Sequence, residues 1–216
     1  MKRYIIIPLL LVLIFVGEVS FAQGFGLKGT FNFFNLSQKD ADGNVIENKM
    51  IPVFDGGMFY EIQLAPEFYL RPELLYALKG AKMDKIVDTK THLSYVELPV
   101  LLLYKGALSD GYVLLGFGPY LSMGVSGTIV TSNLNYDIKF KNDITAIESL
   151  TGAFFRPLDF GGKIMVGYEF GIGLSATINA SYGMTNIHPK IAGNKPEAST
   201  RNVGFGLTLG YRFGKK

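Results

Sequence analysis

The chain has 216 residues, of which 48% are hydrophobic and 18% charged, with 26 glycines, 17 phenylalanines, 12 tyrosines, no cysteine and no tryptophan. So apolar a composition excludes intrinsic disorder, the lack of cysteine excludes a disulfide-stapled miniprotein, and a single continuous apolar run excludes a polytopic helical membrane protein. The net charge of +3 is too small to indicate a nucleic-acid partner.

The apolar run comes first. Lys2 and Arg3 precede an apolar core from Tyr4 to Val16, and Ser20-Phe21-Ala22 forms a small-x-small cleavage site before Gln23. This layout predicts a secretory signal peptide over residues 1–22, and the remaining length predicts one domain over residues 23–216. Removal of two basic residues and one acidic residue (Lys2, Arg3, Glu18) brings the charge from +3 to +2.

From Gln23 onward the hydrophobic period is two, the period of a strand with two unlike faces. Phe25, Leu27, Gly29, Phe31 and Phe33 share one register, then Phe54 to Leu64, Leu70 to Leu78 and Val96 to Tyr104, each at every second residue. The pattern returns at Val113 to Val125, Leu158 to Phe170, Leu174 to Met184 and Val203 to Phe213. The opposite register holds every charge found inside these eight segments: Lys28, Asp55, Glu61, Arg71, Glu73, Lys79, Glu97, Asp159, Lys163, Glu169 and Arg212. A soluble lipocalin-like carrier would turn the apolar face inward, and a transmembrane barrel turns it outward.

Two patterns favour the membrane. Links near Ala65 to Glu67, Lys105 to Gly111 and Gly171 to Gly173 are short, whereas Ser37 to Pro52, Ala81 to Thr91, Ser126 to Pro157 and Thr185 to Arg201 are long. Short periplasmic turns alternating with long extracellular loops are the habit of outer-membrane barrels, and they put both termini in the periplasm. Aromatics gather at the short-turn ends: Phe25, Phe68, Tyr69, Tyr104, Tyr112, Tyr168, Phe170, Tyr211 and Phe213, a girdle at the periplasmic membrane boundary. The fold expected is all-β, an eight-stranded antiparallel up-and-down transmembrane β-barrel in the outer membrane of a Gram-negative bacterium. Pro72, Pro99 and Pro119 fall inside strands and predict local bulges. Residues Ile144 to Leu150 fit one or two turns of helix inside the third long link.

No motif rises to a catalytic or metal site. Gly24-Phe25-Gly26-Leu27-Lys28-Gly29 matches a dinucleotide fingerprint in letters only, since it continues as alternating strand and not as a helix. Asp40 to Asn44 lacks the terminal glutamate of a calcium loop and reads as an Asp-Gly turn. His92 and His188 are the two histidines; Ser94 shares a face with His92, a weak case for rim catalysis, and no closed metal set exists. No cofactor is expected. The inward charges read as a structural network that neutralises itself, because an eight-stranded barrel is just wide enough for its own side chains.

Several segments carry a resemblance. Gly26-Leu27-Lys28-Gly29, Leu70-Arg71-Pro72-Glu73-Leu74-Leu75-Tyr76 with Lys79-Gly80, and Leu93-Ser94-Tyr95-Val96-Glu97-Leu98-Pro99 resemble the outer-membrane β-barrel family that includes PorT-like proteins. So do Gly116-Phe117-Gly118-Pro119-Tyr120, Asp159-Phe160-Gly161, Tyr182-Gly183-Met184-Thr185-Asn186-Ile187 and Leu209-Gly210-Tyr211-Arg212-Phe213. The resemblance covers the whole mature chain and implies an OmpX/OmpA-like eight-stranded barrel, with in-strand prolines as part of the pattern. Family barrels often finish on an aromatic, whereas Gly214-Lys215-Lys216 follow Phe213 here. A filled lumen combined with long links points to a non-enzymatic scaffold embedded in the lipid bilayer that offers its loops or periplasmic rim to protein partners, and the resemblance implies a secretion or envelope complex as their setting. A narrow channel or transporter for small solutes is the alternative the lumen charges raise.

Overall fold

The computed structural model describes residues 24–83, 89–131 and 134–214; the signal peptide expected over 1–22 lies outside the described residues. Eight strands carry the fold: β1 Phe25–Lys39, β2 Ile51–Tyr60 with a continuation at Ile62–Ala65, β3 Phe68–Met83 and β4 Thr89–Leu108. They are followed by β5 Gly111–Val130, β6 Leu158–Phe170, β7 Leu174–Gly183 and β8 Ser199–Arg212. Each pairs antiparallel with its neighbours in chain order. β8 then pairs with β1 from Gly26–Arg212 to Lys39–Ser199, so the sheet closes into a ring with no free edge. Closure is what permits strands to lie in hydrocarbon, where an unpaired backbone N–H or C=O has no water to meet it.

The period of two sorts the side chains. Outward positions stay exposed although they are apolar, as in Phe54 at 64%, Phe117 at 60% and Leu207 at 61%. Inward positions are buried although many are polar, as in Asn32, Glu97, Ser122 and Asp159. A soluble barrel requires the reverse, so the lipocalin-like arrangement is excluded.

Pro72, Pro99 and Pro119 remain in register, opposite Val100, Tyr120 and Gly162 respectively. The bulges expected at the prolines are corrected accordingly: the one register shift between β4 and β5 lies at Ser94/Tyr95. Proline removes a donor without adding a residue, so the ladder lapses instead of shifting. Pairing stops after Pro72–Val100 and resumes at Leu75–Glu97, and stops after Pro99–Tyr120 to resume at Leu102–Phe117. Gly118 belongs to the second lapse, where a Cβ would stand 2.0 Å from the Val100 carbonyl oxygen.

The strands outrun several of the links expected from sequence. The turn after β4 is only Ser109-Asp110, with Ser109 at a positive φ of 53°, and β3 and β4 extend to Met83 and from Thr89. The third long link is structured. Asn135–Phe140 pairs antiparallel with the end of β5, Ala153–Phe155 runs parallel to Asn135–Phe140, and between them lies helix α1, Ala146–Thr151. A capping box starts α1: the Thr145 hydroxyl accepts from the Glu148 N–H, and the Glu148 carboxylate accepts from the Thr145 N–H. Lys190–Ile191 pairs with Asp143–Ile144 and ties the fourth long link to the third.

Candidate functional site

Among the described residues, chemistry-bearing side chains converge in the lumen, and strand parity puts them there. On β3, Tyr69, Arg71, Glu73 and Lys79 share the inward register; on β4, Glu97 and Lys105; on β6, Asp159, Lys163 and Glu169. Lys28 of β1, Asp55 of β2, Glu61 just beyond it and Arg212 of β8 complete the set.

The ion pairs form two connected chains along the barrel. At the short-turn end, Lys105 Nζ donates to Glu61 Oε2 and Glu169 Oε2, each at 2.8 Å. Arg212 donates to Glu169 Oε1 from Nη2 at 2.7 Å and from Nε at 3.0 Å, while Arg71 stands 3.6 Å from Glu61 and 3.1 Å from Glu73. Lys28 closes that chain on Glu73 at 2.8 Å. In the second chain, Lys163 meets Glu97 at 2.6 Å, Glu97 meets Lys79 at 2.8 Å, and Lys79 reaches Asp159 at 3.2 Å. Asp159 Oδ2 also accepts from Tyr120 at 3.2 Å and Asn202 at 2.8 Å; Asp55 accepts from Asn32 at 2.6 Å and from the Leu78 backbone at 3.0 Å. Rings line the cations: the Arg71 guanidinium lies 3.7 Å from the Phe59 centroid, Lys79 4.4 Å from Tyr120, and Lys105 5.3 Å from Tyr69.

Lys105 is the residue that sequence reasoning missed. Assigned by sequence to a turn, it continues the inward register of Leu101 and Leu103 and is buried. With it, the lumen holds six acidic and six basic side chains among the described residues, so the network is neutral. Tyr69 and Tyr112 are a second correction. Their position along the barrel predicts the outer aromatic girdle, yet both face inward and pack against Leu101, Leu103, Leu114 and Met165 beside Lys105. The other seven stand outward at the short-turn end, with ring centroids 5.7 Å apart for Phe25–Phe213, 5.4 Å for Phe68–Tyr104, 5.1 Å for Tyr168–Phe170 and 5.0 Å for Tyr211–Phe213.

Above the charges an apolar stopper closes the long-loop end. Ile138, Phe155 and Ile187 descend from the third and fourth long links onto Leu36, Ala81, Leu93 and Tyr95. Phe140 fills the recess over Gly124 and stands 6.1 Å from Tyr95. Only the tertiary fold brings these together.

The weaker motifs resolve into packing. Gly26 leaves room for the Phe59 ring, which a Cβ would approach to 2.2 Å. The Asp40 loop is a turn in which Asp40 accepts from the Asn44 side-chain amide at 3.1 Å and from the Asn44 N–H at 2.8 Å, bonds that pull the Asp40 carboxyl below its ordinary range. Among the described residues no three His, Cys, Asp or Glu side chains are grouped to hold a metal, and no hydrogen bond joins His92 to Ser94.

His188, within the fourth long link, packs with its ring 6.2 Å from Phe155, and burial pushes its pKa below the ordinary histidine value. A base with a lowered folded pKa makes a contribution that is complete above the unfolded value of about 6.5 and is lost as pH falls through the folded one. The loop contact is therefore expected to loosen below about pH 6.5. Limited proteolysis between pH 8 and pH 5 should show cleavage in the long links rising with acid, and His188→Phe should abolish that rise.

A closed eight-stranded barrel with an apolar outer wall and an ion-paired interior defines a transmembrane β-barrel protein. Comparison with protein-family models matches residues 21–189 to the outer membrane protein beta-barrel domain, and the chain belongs to that family. Membership places it in the outer membrane of a Gram-negative bacterium. Among solved structures, the chain is similar to the outer membrane protein OprG from Pseudomonas aeruginosa at 13% identity and TM-score 0.50, covering 89% of this chain and 96% of that one. It is also similar to Neisserial surface protein A at 10% identity and TM-score 0.44 (88% and 97% covered), and to Ail, the attachment invasion locus protein of Yersinia pestis, at 8% and 0.41 (88% and 99%). At such identities the likeness concerns the fold. No curated protein matches the chain in sequence.

Proposed function

We propose that the chain is a non-enzymatic, PorT-like barrel that serves as a membrane-embedded scaffold, presenting its long links or its short-turn rim to partners in a secretion or envelope complex. The observation that carries this reading is the filled lumen: twelve charges that sum to zero, all but Asp55 in ion pairs, lie beneath a stopper of Ile138, Phe155 and Ile187, and side chains occupy the space a solute would need. Surface is then what the molecule offers. The alternation of short and long links supports periplasmic termini.

Planar-bilayer recording tests the reading against a narrow channel. Purified protein is expected to be silent, and Glu97→Gln, which removes the charge between Lys79 and Lys163, is expected to remain so. Discrete conductance that changes in that variant would replace the scaffold with a pore. Mild crosslinking in cells followed by purification should return the barrel with recurring envelope proteins; a barrel that always emerges alone would count against the partner claim.

A further inference from the structure

We propose that the outer wall carries a seat for one phosphate-bearing membrane lipid, with an acyl chain in a groove over Gly162 and Ala180 and the phosphate on Arg201. This goes beyond the scaffold reading and does not depend on it, nor on which way the barrel is oriented.

The groove runs from β5 across β6 and β7 to β8 and occupies about 730 Å³. Its floor is made by two small residues on adjoining strands, since Gly162 pairs with Tyr182 and Ala180 pairs with Ile164. Phe117, Phe160, Tyr182 and Phe205 form its walls. Packing does not demand the glycine. A Cβ at Gly118 or Gly206 would collide with backbone at 2.0 Å and 2.5 Å, whereas at Gly162 the nearest atom is Met184 Cε at 3.9 Å. The depression is therefore open space between the large apolar side chains that wall it. In hydrocarbon an open apolar groove is filled by what surrounds it, and an acyl chain has the matching shape and chemistry.

Arg201 supplies the second, independent observation. It occupies the same outward register of β8 as Val203 and Phe205, both of which line the groove, and stands two residues nearer the long links, opposite Ser37. Its side chain makes no ion pair or hydrogen bond among the described residues, and its Nε is shielded from solvent with no acceptor. An outward arginine at the membrane boundary without a carboxylate is a cation awaiting an anion from the bilayer. The lipid phosphate is the anion available at that depth, and a guanidinium binds it through two parallel N–H donors.

The test uses purified full-length mature protein in phosphatidylcholine vesicles containing trace spin-labelled phosphatidylglycerol or spin-labelled phosphatidylcholine, with the motionally restricted fraction read by electron spin resonance. Native protein should prefer phosphatidylglycerol roughly five-fold, the equivalent of about 1 kcal/mol for one basic side chain near the surface. Arg201→Gln should bring the two lipids to parity while leaving phosphatidylcholine restriction unchanged. Gly162→Phe should reduce restriction of both, and Gly29→Phe, at a β1 position outside the groove where a Cβ meets nothing within 4 Å, should reduce neither. Each variant is first shown to fold by the gel shift between unboiled and boiled samples. Equal restriction of both lipids by native protein, or an unchanged preference in Arg201→Gln, overturns the proposal. So does a crosslinked dimer abolished by Gly162→Phe, which would give the groove to a second copy.

Discussion

Lys79→Met is expected to destabilise the folded barrel by about 3–5 kcal/mol, because it strips a buried network of one cation and leaves its carboxylates behind. Lys79 is fully buried and is shared between Glu97 at 2.8 Å and Asp159 at 3.2 Å. After the substitution Glu97 keeps Lys163, but Asp159 keeps only the neutral donors Tyr120 and Asn202. An uncompensated buried carboxylate is therefore the main source of the loss. A second change isolates it: in Lys79→Met with Asp159→Asn the charge is gone and most of the stability should return. Urea unfolding in lipid vesicles, followed by the mobility of unboiled samples, measures both. Equal losses in the single and double variants would place the cost in packing around Tyr95 and Tyr120. The loop pair Lys141–Glu148 provides the contrast. Its side chains are 46% and 32% exposed, and Lys141→Ala should shift the midpoint by less than about 1 kcal/mol.

How much of this could be read from the chain depends on how local the signal is. Alternation is local, so the eight strands, their inward charges and the outward apolar wall were legible residue by residue. Strand ends are set by turn geometry and by partner strands. Ending the fourth segment at Tyr104 therefore hid Lys105, although Leu101, Leu103 and Lys105 continue one register. Tyr69 and Tyr112 were drawn into the girdle by their position along the barrel, when their parity with Arg71 and Leu114 already turned them inward. The prolines misled for a related reason: a lost donor can be absorbed by a two-residue lapse in the ladder, which leaves no trace in the pattern. The stopper was not legible. Ile138, Phe155 and Ile187 lie in long links without period and meet Leu36 and Leu93 only after the ring has closed.

The sharpest separation between membrane barrel and water-soluble barrel comes from Leu207→Arg. Leu207 lies near the middle of β8, between Phe31 of β1 and Ile178 of β7, with 61% of its surface exposed on the outer wall. On a soluble protein so exposed a position tolerates arginine within about 0.5 kcal/mol. In a bilayer the same guanidinium must leave water at the hydrocarbon midplane, and the expected loss is about 2–4 kcal/mol. Depth should grade the effect: Tyr211→Arg, four residues closer to the short-turn boundary on the same face, should cost only about 0–1 kcal/mol because its charge can reach the interface. Folding titrations of both variants into lipid vesicles measure the difference directly. Because both sites share one strand and one face, β-propensity and lost apolar area largely cancel between them. What remains is the depth of the hydrocarbon itself, and equal costs at the two positions would mean that this wall does not face lipid.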